Sequence, residues 1–234
     1  MKRFWKQAGM QPARDGWQAA LDGRGVRTVA GAPQIVPTQA LAEALAAEWE
    51  AQGQEVDPGR FVLRDLADYA IDVVAPDHAA AIDALLPYGD TDTLLYRADP
   101  DEPLYRRQQA EWEPLVTAAE ARLGASFTRV SGVLHRAQPE ATAARLRTEL
   151  ETLGAFDLAA LRTLAGIAAS LIAGLAALDP QADTGALFDA AHLEETWQAE
   201  LWGQDAEAEA ARAARRAAFV AAARFAALAR RAAG

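Results

Sequence analysis

From Pro76 onward the chain is written chiefly in helical stretches, whereas the stretch before it consists of shorter runs cut by glycine and proline. That asymmetry constrains the fold more than any other feature, because short punctuated runs suit strands and turns while long uninterrupted ones need helices. GWQAALDGRGVRTV (16–29) holds two short runs around Asp22-Gly23-Arg24-Gly25, whose glycines suit the positive φ of a hairpin turn. Gly31 and Pro33 end the second run, and Gln34-Ile35-Val36 makes a third candidate strand. Pro37-Thr38 opens a helix in which Leu41, Leu45 and Trp49 recur every four residues until Gly53, with Thr38 as the N-cap. A second helix over 63–74 places Leu63, Leu66, Ala70 and Val73 on one face. Helical candidates then follow at 77–86, 101–123, 139–153, 157–178, 185–203 and 205–232. Two extended pieces, 92–98 and 126–134, are each able to return to the N-terminal sheet. The reading is α+β: a small N-terminal domain of antiparallel strands and helices over 1–75, then a larger all-helical domain over 76–234.

Composition removes whole classes of function. With no cysteine there is no disulfide, thiolate metal site or cysteine nucleophile. A net charge of −10 repels phosphate backbones, which argues against nucleic acid as a partner. The longest apolar run, 167–178, is too short to span a bilayer, and the N-terminus lacks the apolar segment of a signal peptide. With arginine strongly favoured over lysine, this reads as a bacterial cytoplasmic protein. After Glu209 come six arginines (Arg212, Arg215, Arg216, Arg224, Arg230 and Arg231) and no carboxylate, which reads as a solvated Ala/Arg helix or a frayed tail.

Catalytic and cofactor motifs are missing. His78, His135 and His192 have no metal-ligating spacing. There is no phosphate loop, Gly23-Arg24-Gly25 lies between strands, and none of the three serines sits in a nucleophile elbow. No cofactor is expected. Carboxylates are plentiful, but the adjacent Glu194 and Glu195 would point about 100° apart on a helix and not at one substrate atom.

The stretch HLEETWQAELWGQD (192–205) carries the strongest candidate site. On a continuous helix over 185–203, Ala190, Leu193, Trp197 and Leu201 form an ordinary core stripe. Phe188, Ala191, Glu195, Gln198 and Trp202 form a mixed stripe opposite it. Either the helix is sandwiched between layers, with Glu195 and Gln198 bonded to neighbours, or the mixed stripe is a docking face with aromatic area and a recognition carboxylate.

RFWK (3–6), LDGRGVRT (21–28), VPTQALAEALAAEWEAQG (36–53), LADYAID (66–72), LLYRA (94–98), RQQAEWEPL (107–115) and LEETWQAELWGQDAEA (193–208) stand in an order that resembles a known family. It is the family of assembly chaperones that attend the α subunit of the catalytic head of ATP synthase. The resemblance implies an α+β N-terminal and a helical C-terminal domain, no enzymatic activity, and the unassembled α subunit as partner. That partner would be held by its β-facing surface until a β subunit displaces the chaperone, which is itself a monomer when free. It points to Glu195 as the functional carboxylate, with Glu194, Gln198, Trp202 and Phe188 around it. Trp49 is a core residue in this reading, and Tyr96-Arg97 with Arg107, Gln108 and Trp112 are interdomain structure, Arg97 or Arg107 pairing with a motif carboxylate. Two positions depart from the family: Leu95 stands where many members carry Cys, and Ala169 where members often carry Gly, a difference expected to matter only for helix packing. The alternatives are an acidic interaction module with another client and a hydrolase working through two carboxylates.

Overall fold

At Asp22 and Gly23 the backbone takes positive φ values of 48° and 78°, the two-residue turn whose twist matches that of the strands it joins. It links β2 (Gly16–Leu21) to β3 (Arg24–Gly25), with Leu21 opposite Arg24. The Asp22 carboxylate accepts the Lys6 and Gln7 backbone N–H groups, and these bonds hold it below the usual carboxylate pKa. A strand absent from the sequence reading, β1 (Ala8–Ala13), pairs antiparallel with all of β2. Pro12 and Gly9 hide it in the sequence; proline cannot donate to a ladder and is accommodated because β1 pairs with β2 alone. β4 (Ile35–Val36) pairs with Trp17 and Gln18 of β2, completing the sheet.

The computed structural model describes residues 1–132, 134–203 and 205–230 and divides into two compact units. The first comprises Met1–Ala81 with Gly154–Ala160 and the chain from Arg224. It therefore includes pieces of sequence far beyond the single boundary near residue 76 that the sequence suggests.

Within this unit α1 (Gln39–Glu50) starts at Thr38, whose hydroxyl accepts the Leu41 N–H at 3.1 Å, and buries Leu41, Leu45 and Trp49. α2 (Val62–Tyr69) continues as a π-helical turn, Ala70–Val74. The extra residue in that turn rotates the helix face. Val74 is consequently buried and Val73 exposed, the reverse of the periodic expectation. Phe61, at the N-cap of α2, offers no capping side chain; Glu48 of α1 accepts the Leu63 and Arg64 N–H groups at 2.7 and 2.9 Å instead. The RFWK and EWEAQG segments meet here. Trp5 packs edge-on against Trp49 with ring centroids 5.0 Å apart, and Arg3 donates to the carbonyls of Glu50 and Gln52.

α3 (His78–Asp83) follows. The second unit, Ile82–Leu153 and Leu161–Ala223, contains α4 (Pro87–Asp90), α5 (Pro103–Leu123) and α6 (Glu140–Glu151). The two extended pieces pair with each other there, as parallel β5 (Tyr96–Arg97) and β6 (Val130–Ser131), and do not join the N-terminal sheet. Two long helices expected from sequence are each broken. The stretch 157–178 becomes α7 (Ala155–Ala168) and α8 (Leu171–Ala177), split at Ala169, which takes a left-handed φ of 45°. The position favours glycine because of its backbone conformation, a correction to the expectation that only helix packing was at stake. Ser170 then caps α8 through Ala173 N–H, and the fully buried Asp92 accepts the N–H groups of Ile172 and Leu94. Burial raises the Asp92 carboxyl to about 6, against the lowering effect of these donors.

The stretch 185–203 becomes α9 (Thr184–Ala191) and α10 (Leu193–Trp202), broken at His192. Last comes α11 (Ala206–Ala229), which is neither frayed nor wholly solvated: Phe219 and Phe225 are fully buried. Arg212 and Arg216 pair with Asp189 in the second unit, and Arg230 pairs with Asp157 in the first. Arg231 lies outside the described residues. The whole is α+β, as the sequence implies.

Candidate functional site

The site is built from α5 outward. Gln108, Trp112 and Val116 recur at four-residue spacing and form its buried stripe. The Gln108 amide bonds in two directions: Oε1 accepts the Ala98 N–H at 2.8 Å, and Nε2 donates to Glu194 Oε1 at 2.7 Å. Trp112 donates its indole N–H to the Ala190 carbonyl at 2.7 Å. This carbonyl lies at the end of α9, where a helix leaves acceptors unpaired. Two α5 side chains thus fasten the YRA segment and the α9–α10 junction to one helix. Arg97 supplies the other half of the clamp: its buried guanidinium pairs with Glu113 at 3.1 Å and bonds Gln109. Arg129 joins the same carboxylate at 2.6 Å, and Arg129 and Arg97 together hold Glu113 below its ordinary pKa. All these residues lie inside the second unit, so the clamp is internal to it and not the interdomain structure the sequence suggests.

His192 sets the direction of α10. Its ring stacks on Phe188 with centroids 4.0 Å apart, and Nδ1 bonds the Phe188 carbonyl at 2.9 Å. Its backbone, φ −105° and ψ 23°, falls outside the helical region and resets the helical phase. A single wheel drawn through 185–203 therefore fails on both faces. Phe188, expected on the docking stripe, is fully buried against His192 and Phe219. Leu201, expected in the core, is 58% exposed, and Leu193 is the buried residue of α10. Trp202 is 79% exposed beside Leu201, and Gln198 is exposed as well.

Glu194 and Glu195 point to different neighbours. Glu194 turns toward Gln108, and burial raises its carboxyl above the ordinary value while the Gln108 bond opposes the shift. Glu195 turns outward to Arg215 of α11, 2.6 Å away, in an exposed pair. Arg107 spans to Glu200 at 2.6 Å and lies over the Trp197 ring. Between α10 and the start of α11 is a crevice of about 220 Å³ whose wall includes Glu195, Glu200, Asp205, Glu209 and Arg212. The outer face of α10 is thus an apolar tip, Leu201–Trp202, next to a carboxylate-rich crevice. Sequence reasoning missed Leu201 and Arg215. Leu201 was recoverable, since two adjacent large apolar residues just before a glycine cannot both enter one narrow core stripe. Arg215 was not, because its pairing depends on how α11 crosses α10.

Among the described residues no group of three or more His, Asp or Glu side chains is placed to hold a metal ion. Other raised carboxyls are committed to donors: Glu48 to Leu63 and Arg64, Asp68 to Gln34 and Val29, Asp92 to Ile172 and Leu94.

The profile of the ATP12 chaperone protein family matches residues 2–120. Protein atp12, mitochondrial, from Schizosaccharomyces pombe is 25% identical over 214 residues, covering 86% of this chain and 74% of its own length. The crystal structure of Atp12 from Paracoccus denitrificans superposes with a TM-score of 0.91 at 39% identity, over 98% of both chains. An aspartate-to-lysine variant of the Paracoccus protein gives the same figures. A candidate chaperone from Agrobacterium tumefaciens superposes with a TM-score of 0.89 at 36% identity, over 97% of this chain and 85% of that one. With the profile across half of the chain and solved relatives across nearly all of it, this chain belongs to the ATP12 chaperone family.

Proposed function

We propose that this protein is an ATP-independent, non-enzymatic chaperone for assembly of the catalytic head of ATP synthase. It binds the unassembled α subunit and shields the β-facing surface until a β subunit takes its place. The observation that carries the reading is the outer face of α10, where exposed Leu201 and Trp202 adjoin Glu195. Exposed tryptophan next to a charged group is the composition of an interface hot spot. The Glu195–Arg215 pair is exposed, and such pairs contribute about 0–1 kcal/mol. Glu195 can therefore exchange Arg215 for a client arginine at little cost. Gln198 and Glu194 flank it on the same helix, while Phe188 supports the junction from inside.

Release requires only differential affinity: a β subunit offering a more extensive native interface outcompetes the chaperone without any chemical step. We place the protein in the bacterial cytoplasm as a monomer when free; its similarity to Paracoccus and Agrobacterium proteins supports the bacterial setting. Among the described residues, no helix is long and apolar enough to cross a membrane.

The test is co-expression with the ATP synthase α subunit alone, followed by affinity capture and size-exclusion chromatography. The expected result is a soluble complex with α, none with β, and dispersal of the α complex when β is added. Trp202→Ala should weaken capture by about 30-fold, the equivalent of roughly 2 kcal/mol at a hot spot. An α subunit that stays insoluble and never co-elutes refutes the reading and returns the α10 face to an acidic module with a different client.

A further inference from the structure

α5 carries a second apolar stripe that its core stripe does not explain. Leu115, Ala118 and Arg122 follow Glu111 at spacings of four, three and four, on a face away from Trp112 and Val116. Two other helices present stripes of the same period to the same space: Ile172, Leu175 and Asp179 at α8, and Asp183, Ala186 and Ala190 at α9. Together they wall a groove of about 610 Å³ lying wholly within the second unit. Three helix faces with three-and-four spacing, floored by alanines, leave the shape of a missing helix. The α5 wall from Glu111 to Leu123 runs about 18 Å, or about three helical turns.

Charge selects the occupant. Each stripe ends in a carboxylate: Glu111 on α5, which shares Arg107 with Glu200, then Asp179 after α8 and Asp183 before α9. These two aspartates accept the Gln181 and Ala186 backbone N–H groups and meet no cation in the ion pairs of the described residues. Arg122, the groove's own cation, is neutralised by Glu149 and bonds the Leu175 carbonyl. The rim is thus negative around an apolar floor.

We propose that this groove receives an amphipathic helix of the client, about three turns long, with an apolar stripe and Lys or Arg at its ends. This rests on the chaperone reading and adds a second contact surface in the same unit, the groove ending at Ala190 and α10 beginning at Leu193. Apolar burial in the groove supplies area, and the α10 face supplies the charged and aromatic recognition.

The experiment places a photoreactive benzoylphenylalanine at Ala186, an exposed groove position, or at Trp202, in the full chain co-expressed with the ATP synthase α subunit. Cross-linked peptides are then identified by mass spectrometry. Cross-links from both positions, with the Ala186 peptide helical, amphipathic and flanked by basic residues, are the expected result. Cross-links to α from Trp202 but none from Ala186 overturn the groove and leave the chaperone reading standing. A band at twice the chain's own mass from Ala186 gives the groove to a second copy and also overturns it. No cross-link to α from either position overturns both. Ala118→Arg, which fills the groove from an exposed helical position, should keep the fold by circular dichroism and lower α capture at least 10-fold. Unchanged capture by that variant counts against the groove.

Discussion

Ala169 is a residue in the wrong backbone conformation, and the structure says how much that should cost. Its φ of 45° lies in the left-handed region, where the Cβ of an L-residue crowds the following carbonyl at a cost of roughly 1–2 kcal/mol. The conformation is imposed by its neighbours. α7 ends at Ala168, Ser170 caps α8 on the other side, and the Ala169 carbonyl accepts both the N–H and the hydroxyl of Thr93 at 3.0 Å. Ala169→Gly removes the clash, and because the side chain is exposed no cavity is left behind. Against this, glycine's unfolded chain is freer by about 0.4–1 kcal/mol. The net expectation is stabilisation of about 0.5–1 kcal/mol, or an upward Tm shift of about 1–4 °C for a chain of this length. Urea unfolding with an unchanged m-value is the assay. Ala144→Gly is the control: the same chemical change at an exposed position inside α6 should destabilise by about 1 kcal/mol. If both variants destabilise alike, the left-handed strain is not present and the argument fails.

Further expectations concern Asp92, Glu48 and the Trp112 clamp. Asp92 is fully buried with its pKa raised to about 6 from 3.8. The folded state thus keeps the proton after the unfolded state has lost it. Stability attributable to this group is fully present below about pH 4, falls as pH rises to about 6, and is flat above. The fall is about 3 kcal/mol at 1.36 kcal/mol per pKa unit. Denaturation of the parent and Asp92→Asn at pH 4 and 7 should show their stability difference shifting by that order against the parent, and a pH-independent difference contradicts the assignment. Glu48→Ala leaves two α2 N–H groups without their cap and should cost about 1–2 kcal/mol by chemical denaturation, with Glu48→Gln intermediate. Trp112→Phe keeps most of the buried area but removes the indole N–H bond to the Ala190 carbonyl, for about 1 kcal/mol. If the clamp sets α10, that variant should also reduce α-subunit capture, whereas Glu195→Ala should reduce capture with the melting temperature unchanged.

Local signals were legible wherever one residue's chemistry settles the backbone around it. The hairpin turn, the Thr38 cap and the Leu41–Leu45–Trp49 stripe depend only on neighbours within a few residues, and each is present, although the second positive φ of the turn falls on Asp22 and not on Gly25. The motif order sufficed for the family and the α+β class. It also directed attention to 192–205, although the wheel drawn there put Phe188 outside and Leu201 inside.

The helix errors share a form: each is a place where the backbone leaves the regular α-helical period. The π turn at Ala70–Val74, the left-handed Ala169 and the break at His192 each shift a helix face by a fraction of a turn. Periodicity counted through them assigns inside and outside wrongly. Backbone strain at Ala169 is bearable only because Thr93 and Asp92, more than seventy residues upstream, meet the exposed groups at the start of α8. The arginines of α11 look solvated in sequence because alanine carries no helix-face signal, yet Phe219 and Phe225 make one side core. By itself the sequence determined most element types, the α+β class and the family, and singled out 192–205 as the candidate segment. The tertiary structure alone decided which side of α10 faces outward and which carboxylate each arginine meets. It also left an apolar groove among α5, α8 and α9, since such features are set by packing between helices and not by spacing within one.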